Sequence, residues 1–490
     1  MPSLQVELID IAIIIVFLLA TIWLGCRLSG KQKTVDQYFL TERTVPWWAV
    51  MFSIVATETS TVTFISVPGF AYTGDLRFLQ IAFGYVIGRG LVSILLMPTL
   101  FQRGIVSVYQ LVQRHFGNLL GRMVSALFIC TRNLSDGLRL LGASIVLSYL
   151  FSLSSDPTNT MVTLSIFVLA AVTVFYTWFG GMTAVVWMDV LQLGLYVVGA
   201  IFTIILLGVE IPGGIAQSWV LAGNAGKLSI IDFSFDVSRD YTFWSAVLGG
   251  AVFTAGTHGA DQMFVQRYLA CASLAQARKA LFVSGLVVLV QFGLFLGLGL
   301  LLWTYYQHDA QLAAAVPPSS DRVFAYFIGT EFPVGVRGFM VAAVIAAAMS
   351  TLSSSLNSSA AAFVGDFIRP SKEQPFSEKS YLHISRISIL GFGTIQTVVA
   401  MIGITVSNRL IDDVLQVQFF SGGMMLGIFL LIAAGCRTPV TGTVGLFAGL
   451  SATVFLALGT EVSWQWYAFV GACATVSAGT MAYFLEKVRI

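Results

Sequence analysis

Apolar stretches dominate the chain, and their lengths set the first expectation. Many segments run 18 or more residues without a charge, the length an α-helix needs to cross about 30 Å of hydrocarbon at about 1.5 Å per residue. Hydropathy predicts about thirteen spans, centred near residues 17, 61, 91, 140, 170, 199, 252, 292, 348, 396, 424, 449 and 474. A membrane β-barrel would instead show stretches of about ten residues with alternating polarity, and the pattern has none. The expected fold is an all-α polytopic membrane protein forming one transmembrane domain over residues 1–490. An odd number of spans puts the two termini on opposite sides.

Composition agrees with that pattern. Hydrophobic residues make up 57% of the chain and charged residues 10%, with mean hydropathy +0.85, against about 25% charged in soluble domains. A soluble core cannot hide so much apolar surface. The net charge of +2 is small and dispersed, too little to suggest a nucleic-acid partner; the apolar spans make the lipid bilayer the expected surroundings, and no obligate protein partner is evident. With alternate loops assigned to alternate sides, seventeen of the 26 basic residues fall on one side, Arg267 among them, and six on the other. The positive-inside rule makes the first side cytoplasmic, so the expectation is a plasma (inner) membrane protein with its N-terminus outside and C-terminus inside. Arg89, Arg132 and Arg139 are left within the spans. Cys26, Cys130, Cys271, Cys436 and Cys473 show no metal-ligand or disulfide spacing. The stretch Ile9–Gly25 lacks a basic n-region and a small-residue cleavage site and reads as a retained helix rather than a signal peptide. The longer connections, about 209–241 and 305–335, are too short for enzyme domains, so any chemistry belongs inside the bundle.

Within the bundle, one helix reads AAVIAAAMSTLSSSLNSSAAAF from Ala342 to Phe363. Ser350, Ser353, Ser354, Asn357 and Ser358 fall on one face of it. Several short oxygen ligands at close range suit a hard cation such as sodium, by analogy with other hard cations; alternatively the hydroxyls bond back to their own helix or join neighbouring helices. The second span reads SIVATETSTVTFISVP, with Glu58 among Thr57, Thr59, Ser60, Thr61 and Thr63. A carboxylate at that depth costs about 2.5–3.5 kcal/mol on insertion scales and should face a cavity or a partner. The density of polar groups predicts an unwound midpoint whose carbonyls can bind a cation. A matching interruption, TAGTHGADQ, carries Gly256, His258, Gly259 and Asp261.

Arg132, Asp136 and Arg139 lie at i, i+4 and i+7 on one helix face. Asp136 can neutralise only part of that charge, so the surplus is expected to meet Glu58 or an anionic group on a substrate; a purely structural ion-pair network is the alternative. Asp189 is expected to open a helix, as a cation ligand or as an acid stabilised by the helix dipole. No GxSxG elbow, Walker loop or HExxH motif has a supporting context, so an enzyme is not expected.

Taken together, KTVDQYFL, SVYQLVQRHFG, YTWFGGMTAVVWMDVLQ, DQMFVQRYLA and SSSLNSS resemble the sodium:solute symporter family, whose members have a leucine-transporter-like core, and the likeness covers nearly the whole chain. It implies five-plus-five inverted repeats: a leading helix and loop (1–44), repeats over 45–210 and 211–436, and trailing helices over 437–490. It implies a sodium-coupled symporter working by alternating access, with Na+ as the coupling ion. The principal sodium site falls on the carbonyls of Ala56, Thr59 and Ala347 and the hydroxyls of Ser350 and Thr351. A further site, present in some members, falls on Asp189, Ser350, Ser353 and Ser354. The substrate pocket implied is Ser60, Thr63, Gln80, Arg139, Asp261, Gln262 and Gln416 or Gln418. The likeness to sialic-acid members suggests that Arg139 binds a carboxylate on a small polar solute. Proton coupling and a non-transporting ligand-sensing module are the alternatives.

Overall fold

The computed structural model describes residues 7–28, 32–101, 106–152, 159–368, 376–406 and 410–489. Among these the chain is helical throughout, with no strand; one isolated backbone bridge joins Val45 to Cys271. Among the described residues, nine helices are long and apolar enough to cross a membrane, ten if the bent pair 47–73 is one span.

The helices that matter below are α1 (Leu8–Leu28), α2 (Trp47–Glu58), α3 (Thr61–Thr73), α4 (Leu79–Leu91), α5 (Asn118–Ser152) and α6 (Asn159–Glu210), followed by α7 (Gly250–Ala260), α8 (Gln262–Leu269), α9 (Leu274–Gln307), α10 (Val336–Phe363), α11 (Glu378–Val406) and α12 (Leu410–Ala433). At 52 residues α6 would be about 78 Å long if straight, more than twice the hydrocarbon thickness. It is interrupted at Gly181, where φ is +55°, a left-handed backbone that glycine adopts without penalty. A Cβ there would also lie 2.7 Å from the Tyr38 carbonyl. Asp189 therefore sits two turns inside the second half of α6, not at the opening of a helix as the pattern suggested.

The hydroxyl helix α10 is the most buried of the spans and packs against α1, α5, α6 and α11. Its small residues, Ala342 to Ala348 above all, let those neighbours approach closely, which is how helices associate where lipid removes the hydrophobic drive. Both its ends are held by carboxylates. At the N-terminus, Asp10 of α1 accepts from the backbone N–H groups of Gly335 (2.7 Å) and Gly338 (2.8 Å), two donors that a helix start leaves without partners. Past the C-terminus, Asp366 accepts from Ser107 (2.8 Å) and Ser125 (2.6 Å). Elsewhere α4 and α7 meet backbone to backbone at glycine distance. A Cβ on Gly88 would lie 2.2 Å from the Ala251 carbonyl, and one on Gly84 2.5 Å from the carbonyl of Val247, in the helical turn just before α7.

Candidate functional site

Two breaks in the helical backbone organise the site. At the first, Thr59 (φ −85°, ψ 88°) and Ser60 (φ −79°, ψ 172°) leave the helix, and α3 departs from α2 at 66°. The β-branched and hydroxyl residues Thr57 to Thr63 disfavour a continuous helix, because their side chains are stiff and compete for backbone groups. The hydroxyl helix bridges the break. Thr351 Oγ1 donates to the Thr57 carbonyl at 3.1 Å, and Thr61 Oγ1 donates to the Val344 carbonyl at 3.0 Å. Ala56, Thr59, Ala347, Ser350 and Thr351 are all buried there, on α10, on α2 and at the break that ends α2.

At the second break α7 ends at Ala260, Asp261 is extended (φ −90°, ψ 123°), and α8 begins at Gln262. Here the polar groups serve the protein itself. Asp261 caps α8 by accepting from the Met263 N–H at 2.8 Å and pairs with Arg132. Gln262 binds the distant 106–108 loop, accepting from Val108 N and donating to the Val106 carbonyl, both at 2.8 Å.

Behind the first break lies a buried cluster around Asp189. Its Oδ1 accepts from Ser350 (2.7 Å) and its Oδ2 from Ser53 (2.5 Å), while Arg267 pairs with it at 3.1 Å. The loop assignment counted Arg267 among cytoplasmic-side basic residues; it is instead buried against this carboxylate. Ser353 and Ser354 both donate to the Ser350 carbonyl, at 3.1 and 2.7 Å. Part of the hydroxyl stripe is thus the back-bonding arrangement that membrane helices commonly show.

In front of the break is a cavity of about 100 Å³. At roughly 10–15 Å³ per water on this measure, it accommodates a cluster of waters or a small solute. Thr57, Glu58, Ser60, Thr63, Arg132, Arg139 and Gln418 supply its polar lining, and Phe78, Tyr85, Phe253 and Phe292 its aromatic walls. The charges around it are matched. Arg89, wholly buried, pairs with Glu58 and donates to Ser284 at 2.8 Å. Arg132 pairs with Asp261, and Arg139 with Asp136 at 3.0 Å and with Gln418 Oε1 at 2.9 Å. The expected surplus on the Arg132–Arg139 stripe is therefore taken up by Asp261, and Glu58 has its own arginine. A buried ion is tolerated only when so paired.

Of the substrate residues expected, Ser60, Thr63, Arg139 and Gln418 line this cavity. Asp261 lies in a smaller adjoining recess with Arg132 and Gln418. Gln80 and Gln262 are committed elsewhere, Gln80 donating to the Tyr241 carbonyl at 2.7 Å. The side chain of Gln416 is outside the described residues. His258 is buried with both ring nitrogens lacking a hydrogen-bond partner. Sequence reasoning missed the aromatic walls, whose residues look like ordinary membrane core. It also missed Arg267 and Ser53. A usable signal for Arg267 was present, since an intramembrane Asp189 requires a basic partner.

A model of the sodium:solute symporter family matches residues 38–433. The chain belongs to that family. Membership places the symporter among multi-pass membrane transporters coupled to sodium, not among enzymes. It is 28% identical over 477 residues to the sodium/sialic acid symporter SiaT of Proteus mirabilis (strain HI4320), covering 96% of this chain and 94% of that one. It is also 28% identical to the human sodium/iodide cotransporter, over 89% of this chain and 67% of the relative. Among solved structures, a Na+-coupled sialic acid symporter in a substrate-bound outward-open state superposes with TM-score 0.88 at 25% identity, over 98% of both chains. The more distant Mhp1, a nucleobase-cation-symport-1 family transporter, has TM-score 0.57 at 13% identity, over 91% of this chain and 94% of that one, a likeness of fold.

Proposed function

We propose that the protein imports a small, polar, carboxylate-bearing solute together with sodium, by alternating access. The observation that carries this reading is the break at Thr59–Ser60, which puts free backbone polarity between the hydroxyl helix α10 on one side and a solute-sized cavity on the other. Sodium would be held by the carbonyls of Ala56, Thr59 and Ala347 and the hydroxyls of Ser350 and Thr351. In that position it stabilises the arrangement in which α2, α3 and α10 are together and the cavity is formed. Coupling is this difference in sodium affinity between the two facings of the bundle. With the inside negative, each entering charge contributes about 2.3 kcal/mol per 100 mV.

For the solute, Ser60, Thr63 and Gln418 offer hydrogen bonds and Arg139 offers its planar fork to a carboxylate. Asp136 and Gln418 hold that fork in place before the solute arrives, which limits the ordering cost of binding. Asp261, Gln80, Gln262 and Gln416 contribute to the pocket's shape from outside the cavity lining or on another facing of the bundle. The thirteen-span arrangement, with repeats over 45–210 and 211–436, a leading helix and two trailing ones, is part of the same reading. It is supported by the kink at Gly181, which divides α6, and by the two breaks at matching places. The N-terminus lies outside and the C-terminus in the cytoplasm of the plasma (inner) membrane.

The test is uptake by proteoliposomes under an inward sodium gradient, over a panel of radiolabelled monocarboxylates, sialic acids, amino acids and sugars. Sodium-driven accumulation of a carboxylate, lost in Ser350→Ala/Thr351→Ala, is expected. Accumulation that a proton gradient drives without sodium would refute the reading.

A further inference from the structure

Arg267 lies on α8, six residues beyond the extended Asp261, and only 1% of it is exposed. Its guanidinium is spread across the Asp189 cluster. Nη2 lies 3.1 Å from Asp189 Oδ2 and also against Ser354 Oγ; Nε donates to Ser53 Oγ at 2.9 Å and Nη1 to the Met263 carbonyl. Ser53 in turn donates to the same carboxylate oxygen. Of the four side chains that would form a second sodium site, Asp189 and Ser354 touch the guanidinium. Ser350 spends its hydroxyl on Asp189, and Ser353 donates to the Ser350 carbonyl. Among the described residues, Arg267 has no other carboxylate within ion-pair distance.

We infer that the Asp189 cluster holds one cation at a time, either the Arg267 guanidinium or a sodium ion, and that Arg267 is the site's built-in competitor. One buried carboxylate neutralises one charge. A second cation on the same oxygens would be repelled at close range with little solvent to screen it. The hydroxyls do not lift this limit, because those of Ser53 and Ser350 are already oriented toward Asp189 as donors. A sodium ion therefore enters only when Arg267 withdraws. The geometry provides for that: Arg267 stands on a helix of eight residues joined to α7 through one extended residue, whereas Asp189 and Ser354 stand on the long α6 and α10. Binding of a second sodium ion is thus tied to the position of α8.

This inference rests on the sodium-coupled reading above, and the test separates the two. Sodium-driven uptake and equilibrium 22Na+ binding are measured on the same preparation in proteoliposomes. In the wild type, one sodium ion is expected, or a second binding at least about tenfold more weakly, the penalty of displacing a buried charge partner. Two ions of like affinity would overturn the competition. In Arg267→Gln, the second ion should bind on the order of tenfold more tightly and the sodium Hill coefficient should rise toward two. Arg267→Gln/Asp189→Asn should return it to one. Arg267→Lys keeps the charge but not the reach to Ser53 and Ser354, so it guards against a variant that does not fold; its second ion should fall between wild type and Arg267→Gln. Unchanged binding in a folded Arg267→Gln or Arg267→Lys refutes the competitor while leaving coupling intact. Absence of sodium-driven uptake in the wild type refutes the coupling itself.

Discussion

At Thr59–Ser60 the chain leaves its helix with hydroxyls and a carboxylate beside a cavity, and a neighbouring helix reaches across to one of its carbonyls. At Asp261 it does so with its polar groups already used, one in a helix cap, one in an ion pair and two in a loop clamp. The two stretches look alike as sequence, each a run of polar or glycine residues interrupting an apolar span. The difference lies in what surrounds them. The first is flanked by α10, which offers short hydroxyls and leaves room. The second is flanked by α5 and the 106–108 loop, which offer a guanidinium and backbone groups that engage Asp261 and Gln262. A broken helix is a ligand site only where its freed groups are left for a ligand.

This contrast can be broken experimentally, beginning with the change expected to cost most. Asp261→Ala strands Arg132 beside Asp136 alone, and loss of one partner of a buried pair costs about 3–5 kcal/mol; a large fall in melting temperature is expected whether or not sodium is present. Ser350→Ala/Thr351→Ala at the first break should do the reverse. Sodium half-saturation for uptake should rise tenfold or more, equivalent to about 1.4 kcal/mol or above, while the sodium-free melting temperature changes little. If the double variant melts far below wild type without sodium, the first break is as structural as the second. Arg139→Ala should weaken apparent affinity for the carboxylate solute on the order of tenfold, about 1.4 kcal/mol, and leave a neutral analogue nearly unaffected; equal losses for the two would remove the carboxylate from the proposal. Smallest is Lys227→Met. The Lys227 ammonium donates to the carbonyls of Tyr72 (2.8 Å) and Gly74 (2.7 Å) at the end of α3, and burial pulls its pKa below the usual lysine value. Its loss should lower stability by about 1 kcal/mol, read as a shift in melting temperature without change in sodium half-saturation.

The fold was legible because the bilayer imposes a length and a polarity on every span, and both breaks were legible because polar residues at that depth need a reason. The proposed sodium ligands rest on the hydroxyl spacing of Ser350 to Ser354 and on the family resemblance. Pairing was harder to read. Glu58, one of the partners the pattern offers the arginine stripe, belongs to Arg89, since which helices face each other is not written in the local pattern. Arg267 was counted as a loop residue because hydropathy averages over a window, and one arginine beside Gln266 and Tyr268 looks like the end of a span. Gln80 and Gln262 are amides of the right type near the right helices. Their distances show that each fastens a loop.

The carboxylates at the two ends of α10 bear on how such a bundle can move. Asp10 ties one end to the first helix, and Asp366 ties the other to Ser107 and Ser125. A rod clamped at both tips can neither slide nor tilt relative to those partners without tearing a buried polar contact, which suits it to be the stationary post of the proposed transport cycle. Under the proposed alternating access, the displacement that exchanges one opening for the other falls to the segments that break at Thr59–Ser60 and Asp261.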